Sequence, residues 1–432
     1  MKSNHASRVH ILGGTLVVAL TLCSRNFADR GGPYFMACLT IAGIAYLVAV
    51  REFFATSKFP RHVLVIGLVL SAAWHIELLR LRPGADDDIH RYVWDGRLQR
   101  LGYNPYIVIA SDPAAKGLHT AETRTMNNPD LPSPYPPGAQ LFFRAVTAIH
   151  ESAFAFKVAF VFCDFAIVLL LLDVLRRTQN PDHLVLVFAW NPLLAVEVAG
   201  SGHIDIVGAL LLVVSAAALV RRWRATAAVA LGLAIAVKFL PLVLVPLYWK
   251  RVRIRDATLA IGIVGLLFVP FFYHGRIPMG SLGTYLQNFR FNGPIFCALD
   301  RVAPPRLLAA MALLAGLATA AWLRNTKREW SPDMFAWPMA ITLLCAPVVF
   351  PWYLLWMLPF LTSASTLLMI LWTVSIIPTY IMWHVRTVGG TWGKLPAWVM
   401  LVEYGCLAIA ASAIAWHRSM RPAISVSRHP GA

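Results

Sequence analysis

The chain has 432 residues, of which 58% are hydrophobic and only 14% carry a charged side chain. Soluble domains average about 25% charged residues, so this composition excludes an ordinary soluble enzyme and indicates a polytopic membrane protein. The net charge of +17 does not indicate nucleic-acid binding, because the basic residues cluster in short loops beside apolar runs, where they face anionic lipid head groups of the bilayer.

Apolar runs, taken in chain order, predict an all-α bundle of about twelve transmembrane helices. No small-residue cleavage site follows the first run, so we expect this run to be retained as a signal anchor. The runs lie near 9–23, 34–50, 62–79, 154–175, 184–200, 203–220, 256–273, 304–323, 334–350, 364–383 and 396–416.

Short basic loops set the expected orientation, because such loops stay in the cytoplasm. This rule predicts a multi-pass protein of the inner membrane with both termini in the cytoplasm. The loops contain Arg51, Lys58 and Arg61; Arg176 and Arg177; Arg221, Arg222 and Arg224; Lys250, Arg251, Arg253 and Arg255; Arg324, Lys327 and Arg328; and Arg418, Arg421 and Arg428.

Two apolar segments do not fit a simple crossing. Residues 225–249 have basic loops at both ends, so we expect them to enter the membrane and return at a break near Lys238–Pro241; a single kinked span is the alternative. By the same reasoning, 352–383 begins and ends outside and is predicted to be a helix pair.

The two longest polar stretches, about 80–153 and about 274–303, are predicted outer loops of one transmembrane domain covering residues 1–432. In the first loop, the stretch from Asp87 to Leu101 has no proline and is predicted to be a helix in the membrane interface, with Trp94 at head-group depth. One face of this helix carries Asp88, Arg91, Tyr92, Asp95 and Gln99, and the opposite face carries Ile89, Val93, Trp94, Leu98 and Leu101.

Three successive aspartates, Asp86, Asp87 and Asp88, stand at the start of this helix. A carboxylate at the membrane surface and close to arginines such as Arg91 is a candidate general base. The alternative is an acidic helix start, in which aspartates accept hydrogen bonds from free N–H groups of the first turn. Both interpretations can hold, because capping uses one or two of the three side chains.

Residues on the polar face of the helix are candidate substrate-binding groups. Arg91, Tyr92 and Asp95 share this face, and the guanidinium fork of arginine suits phosphate geometry. Pairing with lipid head groups is the alternative for the arginines of this loop.

Candidate binding groups also follow later apolar runs. His203 and Asp205 come directly after Gly200-Ser201-Gly202 and are predicted to line a polar cavity; helix-to-helix hydrogen bonding and N-capping are the alternative. Lys238 needs an anion such as a lipid phosphate, unless it snorkels to the surface. In the second loop, Arg290 stands among aromatic and Asn residues, a pattern typical of a sugar or phosphate contact surface.

With these motifs in this order, the chain resembles the GT-C superfamily of polyprenyl-phosphate-sugar-dependent glycosyltransferases. Among them it is most similar to the bacterial mannosyltransferases of family 87 and the mycobacterial α-1,6-mannosyltransferases. The resemblance rests on Asp87-Asp88-Ile89-His90-Arg91-Tyr92-Val93-Trp94-Asp95-Gly96-Arg97, Gly102-Tyr103-Asn104-Pro105-Tyr106, Tyr135-Pro136-Pro137, Trp190-Asn191-Pro192, Gly200-Ser201-Gly202-His203-Ile204-Asp205, Lys238-Phe239-Leu240-Pro241 and Pro351-Trp352-Tyr353.

The resemblance implies a GT-C-like bundle and an inverting hexosyltransferase. Its donor would be a polyprenyl-phosphate sugar, with mannose expected, and its acceptor a glycan or glycolipid on the extracytoplasmic face. An acidic residue of the first outer loop would be the base, which corresponds to Asp87 or Asp88 here. No cofactor or protein-bound metal is expected, and assistance by a divalent ion is left open. A transporter or lipid flippase, and a non-catalytic assembly subunit, are the alternatives.

Overall fold

The computed structural model describes residues 2–84, 87–275, 277–327, 330–331, 333–390 and 395–419. In these ranges the regular structure is helical apart from one parallel bridge between Phe291 and Val348. A π-helix covers Ala195–Ser201, and the longer 3-10 helices are Pro113–Leu118, Leu240–Tyr248 and Pro351–Trp356. The α-helices are α1 Lys2–Arg25, α2 Pro33–Ala55, α3 Arg61–Leu79, α4 Asp88–Arg100, α5 Pro137–Ile149, α6 Ala153–Arg177, α7 Val185–Ala189, α8 Pro192–Leu194, α9 Asp205–Val220, α10 Arg224–Val237, α11 Ile254–Phe268, α12 Leu282–Asn288, α13 Pro294–Leu299, α14 Pro305–Thr326, α15 Asp333–Leu344, α16 Leu367–Ser375, α17 Ile381–Thr387 and α18 Ala397–Ser419.

The chain is a multi-pass membrane protein. Within the described ranges, eight helices are long and apolar enough to cross a bilayer, or nine if the bent pair Asp182–Ala189 and Pro192–Ser201 forms one span. The apolar helices α9, α10 and α15 are shorter. The eight are His5–Arg25, Pro33–Ala55, Arg61–Leu79, Ala153–Arg177, Ile254–Phe271, Pro305–Thr326, Ala364–Thr387 and Ala397–His417.

The segment from α10 to Tyr248 enters the bundle and returns, as its flanking charges predict. Helix α10 ends just before Lys238, whose backbone is extended, and the chain continues in a 3-10 helix. At its end, the Tyr248 hydroxyl lies 2.5 Å from the Ser215 hydroxyl, which donates to the carbonyl of Ala227 near the start of α10. Because the end of the segment lies beside its beginning, a single kinked span is excluded.

The segment from Trp352 to Trp383 also forms a pair of antiparallel passes. It first runs along α15, and halfway through it the Ser365 hydroxyl donates to Asp333 at the start of that helix. The chain then returns, so that the rings of Trp352 and Trp383 lie 5.8 Å apart. The segment therefore reverses direction as the predicted helix pair would. Its first arm consists of the 3-10 helices Pro351–Trp356 and Leu358–Phe360, whereas Ala364–Thr387 is long enough to cross a bilayer.

Helix α4 begins and ends close to its predicted limits, but its environment differs from the prediction. Trp94 and Leu98 are fully buried in a cluster with Ala110 and Met126, because the chain after the helix folds back over its apolar face. On another side α5 packs so closely that a Cβ on Gly96 would lie 2.5 Å from the carbonyl oxygen of Phe143. Trp94 therefore contacts protein and not the lipid interface, whereas its depth in the membrane stays a prediction.

Candidate active site

A cavity of about 610 Å³ lies where the start of α4, the turn before α9, the break at Lys238 and the second long loop meet. Residues that are far apart in the sequence line it together. Of the sequence-predicted residues, Asp87, Asp88, His203, Lys238 and Arg290 contribute to its wall. Asp86, the third aspartate of the cluster, lies outside the described residues.

Asp87 is held by protein groups on both carboxylate oxygens. Arg30 donates to Oδ1 over 2.6 Å, and the backbone N–H of Gly84 donates to Oδ2 over 2.7 Å. Arg30 also donates to the Ser201 hydroxyl, so it joins the α1–α2 loop to the two later segments. Although Asp87 directly precedes α4, its side chain accepts no bond from the first turn of the helix. Its arrangement is an ion pair and not a cap.

Asp88 presents an oxygen toward the cavity. Asn127 donates to Oδ1 over 2.5 Å, whereas Oδ2 accepts no hydrogen bond from any described residue. The side chain is 16% exposed, compared with 4% for Asp87. Asp88 therefore has the carboxylate oxygen that a small molecule in the cavity can reach.

The turn that carries His203 depends on glycine and on an irregular helix. Gly202 ends the π-helix with a φ of +80°, and a Cβ there would lie 2.5 Å from Cδ1 of Ile89. The backbone N–H of His203 then bonds the carbonyl of Glu197 over 3.0 Å. One-turn π-helices are frequent at functional sites because they re-aim the side chains that follow.

His203 lies between two acids and against an aromatic ring. Its Nε2 is 3.0 Å from Oε2 of Glu197, and its Nδ1 is 4.0 Å from Oδ2 of Asp88. The ring of Trp352 stacks on the imidazole with centroids 4.0 Å apart, and the hydroxyl of Tyr380 donates a hydrogen bond to Glu197. The imidazole is thus fixed in position with one nitrogen aimed at Asp88.

Lys238 meets its required anion within the protein. Its ammonium lies 2.8 and 2.9 Å from the two oxygens of Asp205, which is fully buried and also accepts from the indole N–H of Trp356. The same ammonium stands 4.5 Å above the ring of Tyr353 and is 20% exposed. Lys238 keeps a face toward the cavity, while Asp205 lies behind it.

Arg290 lines the cavity with its guanidinium already engaged. Its Nε and Nη2 donate to Asp300 over 2.9 and 3.2 Å, and its Nη1 donates to the carbonyl of Phe289 over 2.8 Å. The hydrogen bond from Arg290 lowers the pKa of the partly exposed Asp300 carboxyl. This arginine orders the second long loop beside the cavity.

Arg91, Tyr92 and Asp95 lie behind the cavity wall, where each has protein partners. Arg91 donates to the carbonyls of Asn127, Asn128 and Leu131, and so holds the loop that bears the partner of Asp88. The ring of Tyr92 is buried and stacks on Phe143 with centroids 4.6 Å apart.

Asp95 is closed off from solvent two turns after Asp88. It accepts hydrogen bonds from the Ser133 hydroxyl and, over 2.8 Å, from the amide of Gln140. Burial raises the pKa of Asp95 to about 6, although Arg91, Ser133 and Gln140 act in the opposite direction.

Three contributors were missed from the sequence, namely Arg30, Asn127 and Glu197 as a partner of His203. One available signal concerned Arg30: the expected topology puts the α1–α2 loop outside, where an isolated arginine goes against the charge rule. Nothing in the polar, irregular stretch around Asn127 distinguished it. Among the described residues, no three His, Cys, Asp or Glu side chains are grouped as they would be to hold a metal ion.

Two comparisons with known proteins give matches. The family model described as alpha-(1->6)-mannopyranosyltransferase, N-terminal domain, matches residues 12–252, which is more than half of the chain. No curated protein matches it. The crystal structure of ArnT from Cupriavidus metallidurans bound to undecaprenyl phosphate superposes with a TM-score of 0.43 and 14% identity, covering 82% of this chain and 63% of that one. The chain therefore spans less than two thirds of the length of ArnT.

Proposed function

Because this chain belongs to the alpha-(1->6)-mannopyranosyltransferase family, we propose that it transfers mannose from a polyprenyl-phosphate sugar to an extracytoplasmic glycan or lipid acceptor. The observation that carries the proposal is the open Oδ2 of Asp88 in the wall of a cavity of about 610 Å³. A base at that position has room beside it for an acceptor hydroxyl and a sugar.

Asp88 is the general base in this proposal, and Asp87 positions it. The proton of the acceptor hydroxyl moves to Oδ2 of Asp88 while the oxygen attacks the anomeric carbon from the face opposite the phosphate. The configuration is therefore inverted, and one base suffices because a phosphate leaving group needs little acid assistance. Both oxygens of Asp87 already accept protein hydrogen bonds, which favours Asp88 for this role.

Lys238 is the group best placed to stabilise the departing phosphate. An ammonium has three N–H donors, and the two contacts to Asp205 leave one for a ligand in the cavity. Arg290 contributes its charge, but three of its five N–H donors are used by Asp300 and Phe289. Arg91, Tyr92 and Asp95 act by supporting the cavity wall.

The same proposal includes one GT-C-like domain of about twelve crossings with the cavity on the extracytoplasmic face. Its support is the separation of charges along the helices. Asp205 at the start of α9 lies beside the cavity, whereas Arg221 follows the far end of that helix; likewise Arg176 and Arg177 stand at the end of α6 away from the first long loop. Basic residues at that opposite end are typical of a cytoplasmic face, which favours a cytoplasmic location for both termini in this proposal.

The test is transfer of labelled mannose from a polyprenyl-phosphate donor to a lipid extract by the purified protein in vesicles. Asp88→Asn, which removes the base but keeps the size and the acceptor at Oδ1, should lower turnover by about 10² to 10⁴. Asp87→Asn should retain measurable turnover, because the amide oxygen can still accept from Arg30 and the proposed base is unchanged. Full activity of Asp88→Asn would refute the assignment. Donor translocation without product, in the wild type, would instead indicate a flippase.

A further inference from the structure

His203 has a buried nitrogen that its surroundings leave unused. Among the described residues, Nδ1 of His203 has no hydrogen-bond partner, and the side chain is 3% exposed. Its other nitrogen, Nε2, lies 3.0 Å from Oε2 of Glu197 in an ion-pair contact, although Oε2 makes no well-aligned hydrogen bond with a described residue. This distance favours a proton on Nε2, since otherwise two lone pairs would face each other. Nδ1 then carries a lone pair directed toward Asp88.

The gap between this nitrogen and the proposed base suits one bridging oxygen. Nδ1 of His203 and Oδ2 of Asp88 are 4.0 Å apart, which is too long for a direct hydrogen bond. An oxygen about 2.8 Å from each atom closes such a gap, and both residues line the cavity from which it would come.

We propose that His203 is a proton relay, which receives through a bridging oxygen the proton that Asp88 takes from the acceptor. This inference rests on the proposed transferase function. The acceptor O–H bond breaks as its oxygen bonds to the anomeric carbon, and the electron pair of the bond to phosphate leaves with the phosphate. The proton passes from Oδ2 of Asp88 to the bridging oxygen, whose own proton moves to Nδ1. Glu197 stabilises the imidazolium that results.

The charges around the imidazole favour this role. His203 lies in the turn between the π-helix and α9, and its pKa is raised: burial lowers it, but Glu197, Asp88 and Asp205 together raise it more. The cations nearby are each committed to other partners. Arg30 forms an ion pair with Asp87, Lys238 forms an ion pair with Asp205, and Lys157 donates to the carbonyls of Leu78 and Leu81. The phenols of Tyr92 and Tyr380 also face this region.

The relay predicts a specific change in the pH dependence of turnover. His203 must be neutral to receive a proton, so the acid limb of kcat should follow His203 in the wild type. In His203→Gln, kcat should fall about 10- to 100-fold, less than for loss of the base itself, and the acid limb should move about one pH unit or more lower. Glu197→Gln should shift the limb in the same direction with a smaller loss, because it removes the anion that favours the imidazolium.

A second buried histidine offers a matched control. Nε2 of His75 lies 3.1 Å from Oδ2 of Asp164, both side chains are buried, and neither lines the cavity. His75→Gln should leave the shape of the pH profile unchanged, as measured with the full-length protein in vesicles.

The outcomes separate this inference from the function on which it rests. An unshifted acid limb in both His203→Gln and Glu197→Gln, or the same shift in His75→Gln, would overturn the relay while an inactive Asp88→Asn still supported the transferase. An active Asp88→Asn would overturn the function itself. If His203→Gln does not fold, the profile of Glu197→Gln decides the matter.

Discussion

Helix α4 carries two carboxylates in opposite situations, Asp88 at its first residue and Asp95 near its middle. At the cavity end, Asp88 is partly exposed and keeps one oxygen without a protein donor among the described residues. Two turns later, Asp95 is fully buried and is held by Ser133 and Gln140. The two side chains have the same chemistry and lie on the same helix. Access to a ligand therefore depends on what packs over each position and cannot be assigned from the residue type.

The largest effect should distinguish the two carboxylates by activity. Asp88→Asn should lower kcat by about 10² to 10⁴, the range that a positioned general base contributes. Asp95→Asn should lower it less than tenfold, because an amide oxygen can still accept from Ser133 and Gln140. Turnover of labelled polyprenyl-phosphate mannose measures both. Equal losses of kcat would show that Asp88 and Asp95 do not differ in function.

A smaller effect should separate the partners of the two acids. Asn127→Ala removes the donor to Oδ1 of Asp88 and should lower kcat about tenfold, since a hydrogen bond to a charged group contributes about 1.5–3 kcal/mol. Gln140→Ala should instead lower the free energy of unfolding by about 1–3 kcal/mol, because it removes one hydrogen-bond donor from Asp95 and one acceptor from Gln99 in a buried cluster. Thermal unfolding and kcat of both variants provide the comparison. A stable, inactive Gln140→Ala would contradict it.

A third effect concerns pH and stability at the buried carboxylate, Asp95. Since the pKa of Asp95 is raised to about 6 from its ordinary 3.8, the folded state binds more protons than the unfolded one between these values. Stability from this group is thus present at acid pH and is lost as pH rises from about 4 to 6, by about 3 kcal/mol. Asp95→Asn should remove that dependence. Melting temperatures of the two proteins across this range should diverge, and parallel curves would refute the assignment.

Much of the site could be predicted from where ionisable residues interrupt apolar sequence. Asp88, His203 and Lys238 were selected in this way, because a charged group beside a membrane span requires a partner or a function. The reversal at Lys238 was predicted from the basic loops on both of its flanks. These inferences needed only local composition and the counting of membrane crossings.

The remaining contacts depend on packing between segments that are distant in the sequence. Arg30 reaches Asp87 and Ser201 only after three stretches of chain have been assembled. Trp94 has the helical spacing of an interfacial residue, yet it is buried because the residues around Ala110 and Met126 cover it. Periodicity describes which face is apolar, but it does not show whether lipid or protein meets that face.

The reversal at Lys238 also bears on how deep the chemistry takes place. Helix α10 has 14 residues and is therefore roughly 21 Å long, against a hydrocarbon thickness of roughly 30 Å. In the proposed orientation, a loop that turns back at this length would end below the outer surface, among the upper acyl chains. The sugar would then be handed over in a hydrated notch within the outer leaflet. The carrier could present its phosphate there while its isoprenoid tail stayed among the surrounding lipids.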